Sequence, residues 1–161
     1  MIRFITLLTA ALMLNVNPAL AAEPKIDVPA VAQAAAATVD RFFAALIAGD
    51  VKRAATELDP QVIILESGEA EHSAAEYLGG HVKGDVEFLK SAQQTLMRRT
   101  ARVSGKLAWV ASESDLHAQK DGKPVTIVST ETMVLQSTAA GWKIVHIHWS
   151  SRVRKPEKAG G

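Results

Sequence analysis

The sequence predicts an α+β domain in which helices come first and a run of long antiparallel strands follows. An alanine-rich stretch between Ala30 and Ala48 carries apolar residues at helical spacing. Proline and glycine then break the middle of the chain into short pieces, at Asp59-Pro60 and Gly79-Gly80. From Ala92 onward the pattern changes to alternating, β-branched segments joined by short turn signals.

Residues 1–21 read as a secretory signal peptide rather than as part of the fold. Arg3 is followed by an apolar run from Phe4 to Val16, then by Pro18 and the small-residue cleavage context Ala19-Leu20-Ala21. The run is shorter than the roughly 20 apolar residues that span a bilayer, so no stable membrane anchor is expected after processing. The expected location is periplasmic or secreted, with a mature chain beginning at Ala22 or Glu23; N-terminal sequencing that found Met1 intact in membranes would refute this. Cleavage after Ala21 removes one basic residue and leaves seventeen basic and seventeen acidic ones. A neutral chain without a basic face excludes a nucleic-acid-binding footprint. The absence of cysteine excludes both a lipid-modified cysteine and a disulfide framework.

Residues 22–29 are small, charged or proline and read as a flexible lead-in to a domain over 30–154, with 155–161 as a disordered tail. In the first helix Val39, Phe42, Phe43, Leu46 and Ile47 share one face. Gly49 is placed to end that helix and Asp50 to cap a second one reaching Leu58, where Asp59-Pro60 stops it. Val62–Leu65 reads as a short strand and Ser67–Glu71 as a polar loop. Ser73 with Glu76 three residues on forms a capping box for a third helical region, bent at Gly79-Gly80 and Gly84 and continuing to Lys90. Four strands follow, at about Gln94–Val103, Lys106–Gln119, Val125–Gln136 and Trp142–Val153, in an antiparallel meander.

Alternate residues of a strand share a face. In the last strand Val145, Ile147, Trp149 and Ser151 form the set that is more apolar at its centre and should pack under the helices. Trp142, Ile144, His146 and His148 then lie on the opposite face. No later segment remains to cover that patch, which predicts a homodimer or higher homo-oligomer with those four residues at its interface. Acidification, by charging His146 and His148, should weaken it.

The stretch from Asp121 to Ser150 resembles the association domain of calcium/calmodulin-dependent protein kinase II and its SnoaL-like relatives in the nuclear transport factor 2-like superfamily. The matching blocks are Gly122-Lys123-Pro124, Ser129-Thr130-Glu131-Thr132 and Gly141-Trp142-Lys143-Ile144-Val145-His146-Ile147-His148, with their spacing kept. Weaker echoes are Gly49-Asp50, Asp59-Pro60 with Glu66, and His81. The resemblance implies a cystatin-like cone, in which three N-terminal helices close a strongly curved antiparallel sheet around a cavity. It also implies a ligand pocket formed by Trp109, Glu113, Glu131, Met133 and Trp149, with His81 above them. The kinase domain's pocket arginines correspond to Glu113, Met133 and Trp149, so the implied ligand is neutral or cationic rather than anionic.

Three readings stay open. The domain is a small-molecule-binding or assembly module; or it is a SnoaL-like or ketosteroid-isomerase-like enzyme moving protons through Glu131, Glu113 and His81; or its histidines bind metal. Tyr77, the one tyrosine, reads as a half-buried packing residue, although some relatives stabilise an enolate with a tyrosine. His146 and His148 are too few ligands for a closed metal site, with His72 and His117 the remaining candidates, so no metal is assigned. No cofactor is expected, because no motif has the context of a nucleophile or a phosphate cradle.

Overall fold

The computed structural model describes residues 23–155. The predicted signal peptide and all but the first residue of the predicted tail lie outside them. A 3₁₀ turn, Ala30–Ala32, leads into α1 (Gln33–Ala48). Ala35, Val39, Phe42 and Leu46 recur at three- and four-residue spacing along it and are wholly buried, so this long apolar helix is a core element. Gly49 ends it at φ +72°, a left-handed conformation open to glycine at little cost. Asp50 caps α2 (Val51–Glu57) by accepting the Arg53 N–H at 3.0 Å.

β2 (Leu58–Glu66) begins at once and turns back through Ser67-Gly68 into β3 (Glu69–Glu71). Both turn residues have positive φ, the geometry of a tight hairpin, so the predicted polar loop is in part a strand. Ser73 caps α3 (Ala74–Gly79) by accepting the Glu76 N–H. The Glu76 carboxylate reaches back to the N–H of His72, one residue before the cap. Gly80 breaks the helical run, but Gly84 does not, and α4 (Val82–Ser91) passes through it.

β4 (Gln93–Ser104), β5 (Leu107–Lys120), β6 (Lys123–Thr138) and β7 (Gly141–Val153) form the predicted meander. The seven strands, among them a short first one, β1 (Lys25–Asp27), make one sheet in the order β1-β4-β5-β6-β7-β2-β3. Its outermost member β1 corrects the flexible lead-in: it pairs in parallel with Arg98–Thr100, and Arg102 binds the Asp27 carboxylate at 2.6 Å. Its three side chains are all exposed, so no apolar pattern announced it.

The helices cover one face of the sheet and leave the other open. A β-bulge decides which residues of β7 lie on which face. Val134 pairs with His146 while Leu135 pairs with Ile144, leaving Val145 as an extra residue on β7. Side-chain parity reverses across that point. Ile144 is therefore fully buried and Trp142 packs against the core, which removes both from the open face where strict alternation had placed them. Beyond the bulge, Ile147 and Trp149 face the helices and His148 is exposed.

Candidate functional site

One cross-strand row on the helix-covered face organises the site. Register places Arg99 of β4 beside Ser112 of β5, Ser112 beside Glu131 of β6, Glu131 beside Trp149 of β7, and Trp149 beside Glu66 of β2. Trp149 is the hub of an aromatic cluster, stacked on Phe42 with ring centres 6.4 Å apart and tilted against Phe43 and Tyr77 at the same distance. A cavity of about 290 Å³ opens over this row. Glu131, Trp149, Ser112 and Ser114 line its sheet side, Phe43, Leu46, Phe88 and Leu89 its helix side, and Glu66 and Asp85 one end.

Glu131 is nine-tenths buried. Its Oε2 accepts the Trp149 indole N–H at 3.2 Å, while its Oε1 is buried without a partner. Burial raises its carboxyl above the ordinary range, against the pull of Ser112, Trp149 and the Arg99 charge. Arg99 does not offer that charge freely: it pairs with Asp40 of α1 and donates Nε–H to Ser112.

A second cluster closes the Glu66 end. Tyr77 is fully buried and donates its hydroxyl to Asp85 Oδ2 at 2.7 Å. His81 Nδ1 meets Glu71 Oε1 at 2.7 Å, while its Nε2 faces Glu66 at 3.7 Å and Asp85 at 3.9 Å. Burial pushes Glu66 and Asp85 up, with the neighbouring Asp85 charge adding to the rise at Glu66. At His81 burial works the other way, but Glu71, Asp85 and Glu66 outweigh it and raise the imidazole.

Of the predicted pocket residues, Glu131 and Trp149 line the cavity. Met133 is wholly buried in the core beneath it. Trp109 and Glu113 are on the opposite, open face, Trp109 at 41% exposure and Glu113 paired with Arg98. The small residues Ala108, Val110, Ser112 and Ser114 point inward in their place, because the register sets Val110 beside Met133 and Ser112 beside Glu131 and so turns Trp109 and Glu113 to the other face. His81 joins Glu71 rather than Glu131 and Glu113, so the expected three-residue acid–base cluster is not assembled. Asp85, Glu71 and Glu66 belong to the site instead. One sequence signal pointed to Asp85: it follows His81 by four residues, one turn further along α4.

The SnoaL-like domain family matches residues 35–154. The chain belongs to that family. Similar solved structures include a candidate ketosteroid isomerase from Shewanella frigidimarina NCIMB 400, at 32% identity over 78% of this chain and 99% of that one, with a TM-score of 0.70. The CaMKII hub of S. rosetta is 27% identical over 78% of this chain and 100% of that one, with a TM-score of 0.66. A candidate dehydratase from Streptomyces avermitilis shares the fold at 17% identity and a TM-score of 0.63, covering 77% of this chain and 97% of that one. Among curated proteins there is no match. The SnoaL-like chain thus has the nuclear transport factor 2-like, cystatin-like fold that its last strands resemble.

A carboxyl raised by folding binds its proton more tightly in the native than in the unfolded state. Stability is then highest near or below the unfolded value, about 4.5 for Glu131, and falls as pH climbs through the folded one. Urea denaturation between pH 4.5 and 8 should show wild type losing stability with rising pH more steeply than Glu131→Gln. Equal slopes would mean that the carboxyl ionises without penalty.

Proposed function

We propose that this SnoaL-like domain is an exported, homodimeric binding protein for a small neutral or cationic organic molecule. The observation that carries the reading is the unpartnered, buried Glu131 Oε1 in a cavity whose wall is aromatic, aliphatic and serine side chains around it, with Gln94 and, at one end, the carboxylates Glu66 and Asp85. A ligand hydroxyl or ammonium would satisfy that oxygen, and the aromatic wall around Trp149 suits a cation. Mass spectrometry of protein purified from its own source tests for a retained molecule. Calorimetry with benzylamine, benzyl alcohol and benzoate tests the charge preference. Benzoate binding as tightly as the other two would overturn it, and Glu131→Gln should erase the preference for the amine.

The homodimer rests on the open face of the sheet. Trp109, Val134, His146 and Ile63 form one row across four strands there, with Trp109 and Ile63 each more than two-fifths exposed. Exposed apolar rows of this kind mark contact surfaces. Trp109 and Ile63 thus take the place in the proposed interface that Trp142 and Ile144 vacate, and His146 and His148 stay in it. Sedimentation at micromolar concentration should give a dimer for wild type and a monomer for Trp109→Lys. A wild-type monomer at pH 8 would refute the dimer, and a dimer equally tight at pH 5 would take the histidines out of it.

A second reading is proton transfer next to a carbonyl, favoured by the similarity to the candidate ketosteroid isomerase. Trp149 holds one Glu131 oxygen and leaves the other free to take a proton, the arrangement a general base needs. Deuterium exchange into the α-position of cyclohexenone, followed by NMR, should be lowered about 10²–10⁴-fold in Glu131→Gln. No exchange above buffer in wild type would remove this reading.

A further inference from the structure

We infer that Glu66, His81 and Asp85 form a binding site for one divalent transition-metal ion at the end of the cavity, with Glu71 holding His81 in its ligating tautomer. An ionised carboxylate only accepts, so the 2.7 Å contact with Glu71 Oε1 puts the ring proton of His81 on Nδ1. The Nε2 lone pair is thereby turned toward Glu66 and Asp85. One ligand atom from each of the three residues lies within 4.8 Å of the other two. A carboxylate behind a histidine that faces further ligands is the usual outer support of a metal-bound imidazole.

Two further observations point to a cation site. Glu71 is only 8% exposed, yet its Oε2 has no hydrogen-bond partner, and Glu66 Oε2, the oxygen facing His81, has none either. Among the described residues the three carboxylates Glu66, Glu71 and Asp85 form ion pairs with His81 alone. Buried acceptors left in this state are costly unless a positive charge joins them.

The spacing about His81 Nε2 favours a metal over an organic ammonium. Bonds of about 2.1 Å set ligand atoms about 3.0–3.5 Å apart around an ion, whereas hydrogen bonds of about 2.8 Å to an ammonium set them about 4.5 Å apart. The observed 3.7 and 3.9 Å lie nearer the first. One imidazole and two carboxylates suit Zn²⁺, Mn²⁺, Fe²⁺ or Co²⁺, whereas Ca²⁺ takes six to eight oxygens. Glu66 and Asp85 both line the cavity, so the ion's remaining positions would open into it.

The test uses full-length processed protein stripped with a chelator and dialysed, then titrated with Zn²⁺ by calorimetry and with Co²⁺ by visible absorption. One ion per chain is expected. Binding should weaken at least 100-fold in His81→Ala, and 10–100-fold in Glu71→Gln, the range for a lost outer-sphere partner. The double variant His146→Ala/His148→Ala should bind as wild type does. Circular dichroism checks folding; if His81→Ala is unfolded, Glu66→Gln is read by the same criterion, with at least a tenfold loss. No stoichiometric binding by wild type, binding that survives His81→Ala or Glu66→Gln, or binding lost with His146 and His148 would each overturn the site. Organic-ligand binding measured with chelator present is a separate readout, so either proposal can fail alone.

Discussion

Trp149→Ala will destabilise the protein by about 3–5 kcal/mol in chemical denaturation, the usual range for truncating a buried aromatic. The indole is 9% exposed, stacks on Phe42, touches Phe43 and Tyr77, and donates its N–H to Glu131. Its removal opens a void continuous with the cavity and strips Glu131 of its hydrogen-bond donor. The carboxyl would then be short of partners on both oxygens, so the loss should be larger at pH 8 than at pH 5, where protonation relieves it. A loss below about 1 kcal/mol, the scale of ordinary surface changes, would mean that the indole is not packed as described.

Ile144→Ala is expected to cost about 2–5 kcal/mol, because the side chain is wholly buried beside the core of α1 and the sheet. Strict alternation along β7 predicts something else: an Ile144 on the open face, whose truncation would change monomer stability by no more than about 0.5 kcal/mol and act on dimerisation. Denaturation midpoints at two protein concentrations separate the cases. A large, concentration-independent loss supports burial behind the bulge; a small loss with a weakened dimer would put Ile144 back on the surface.

The bulge marks where the sequence stops being legible. The meander, the two capped helices and the break at Gly79-Gly80 all follow from signals within a few residues of each other, and each appears close to its predicted bounds. An extra residue at Val145 depends on pairing with β6, and nothing in Trp142–Ser150 alone announces it. Trp109 failed for a related reason. The resemblance placed it inward, but the pairing of β5 with β6 sets it beside Val134 on the open face and turns Val110 and Ser112 inward instead. Of the site, Glu131 and Trp149 were legible because they lie in a resembling segment with regular register. Glu66, Glu71 and Asp85 meet His81 only because a three-residue hairpin strand and a broken helix fold toward each other. The strand behind Glu71 was too short and polar to be read as one.

The two ends of the sheet have a consequence for solubility. Both outermost strands, β1 and β3, are only three residues long. β1 covers Arg98–Thr100 of β4; beyond it the rim of β4 carries Arg102, and the pairing of β4 with β5 is irregular between Leu96 and Arg98. On the other side, the start of β2 contains Asp59 and Pro60, and proline cannot donate to a neighbouring strand. Short, charged or interrupted borders are how β-proteins avoid lengthening one another's sheets into fibres. Among the described residues, both margins of the seven-stranded sheet thus carry features that disfavour rim-to-rim addition of further strands.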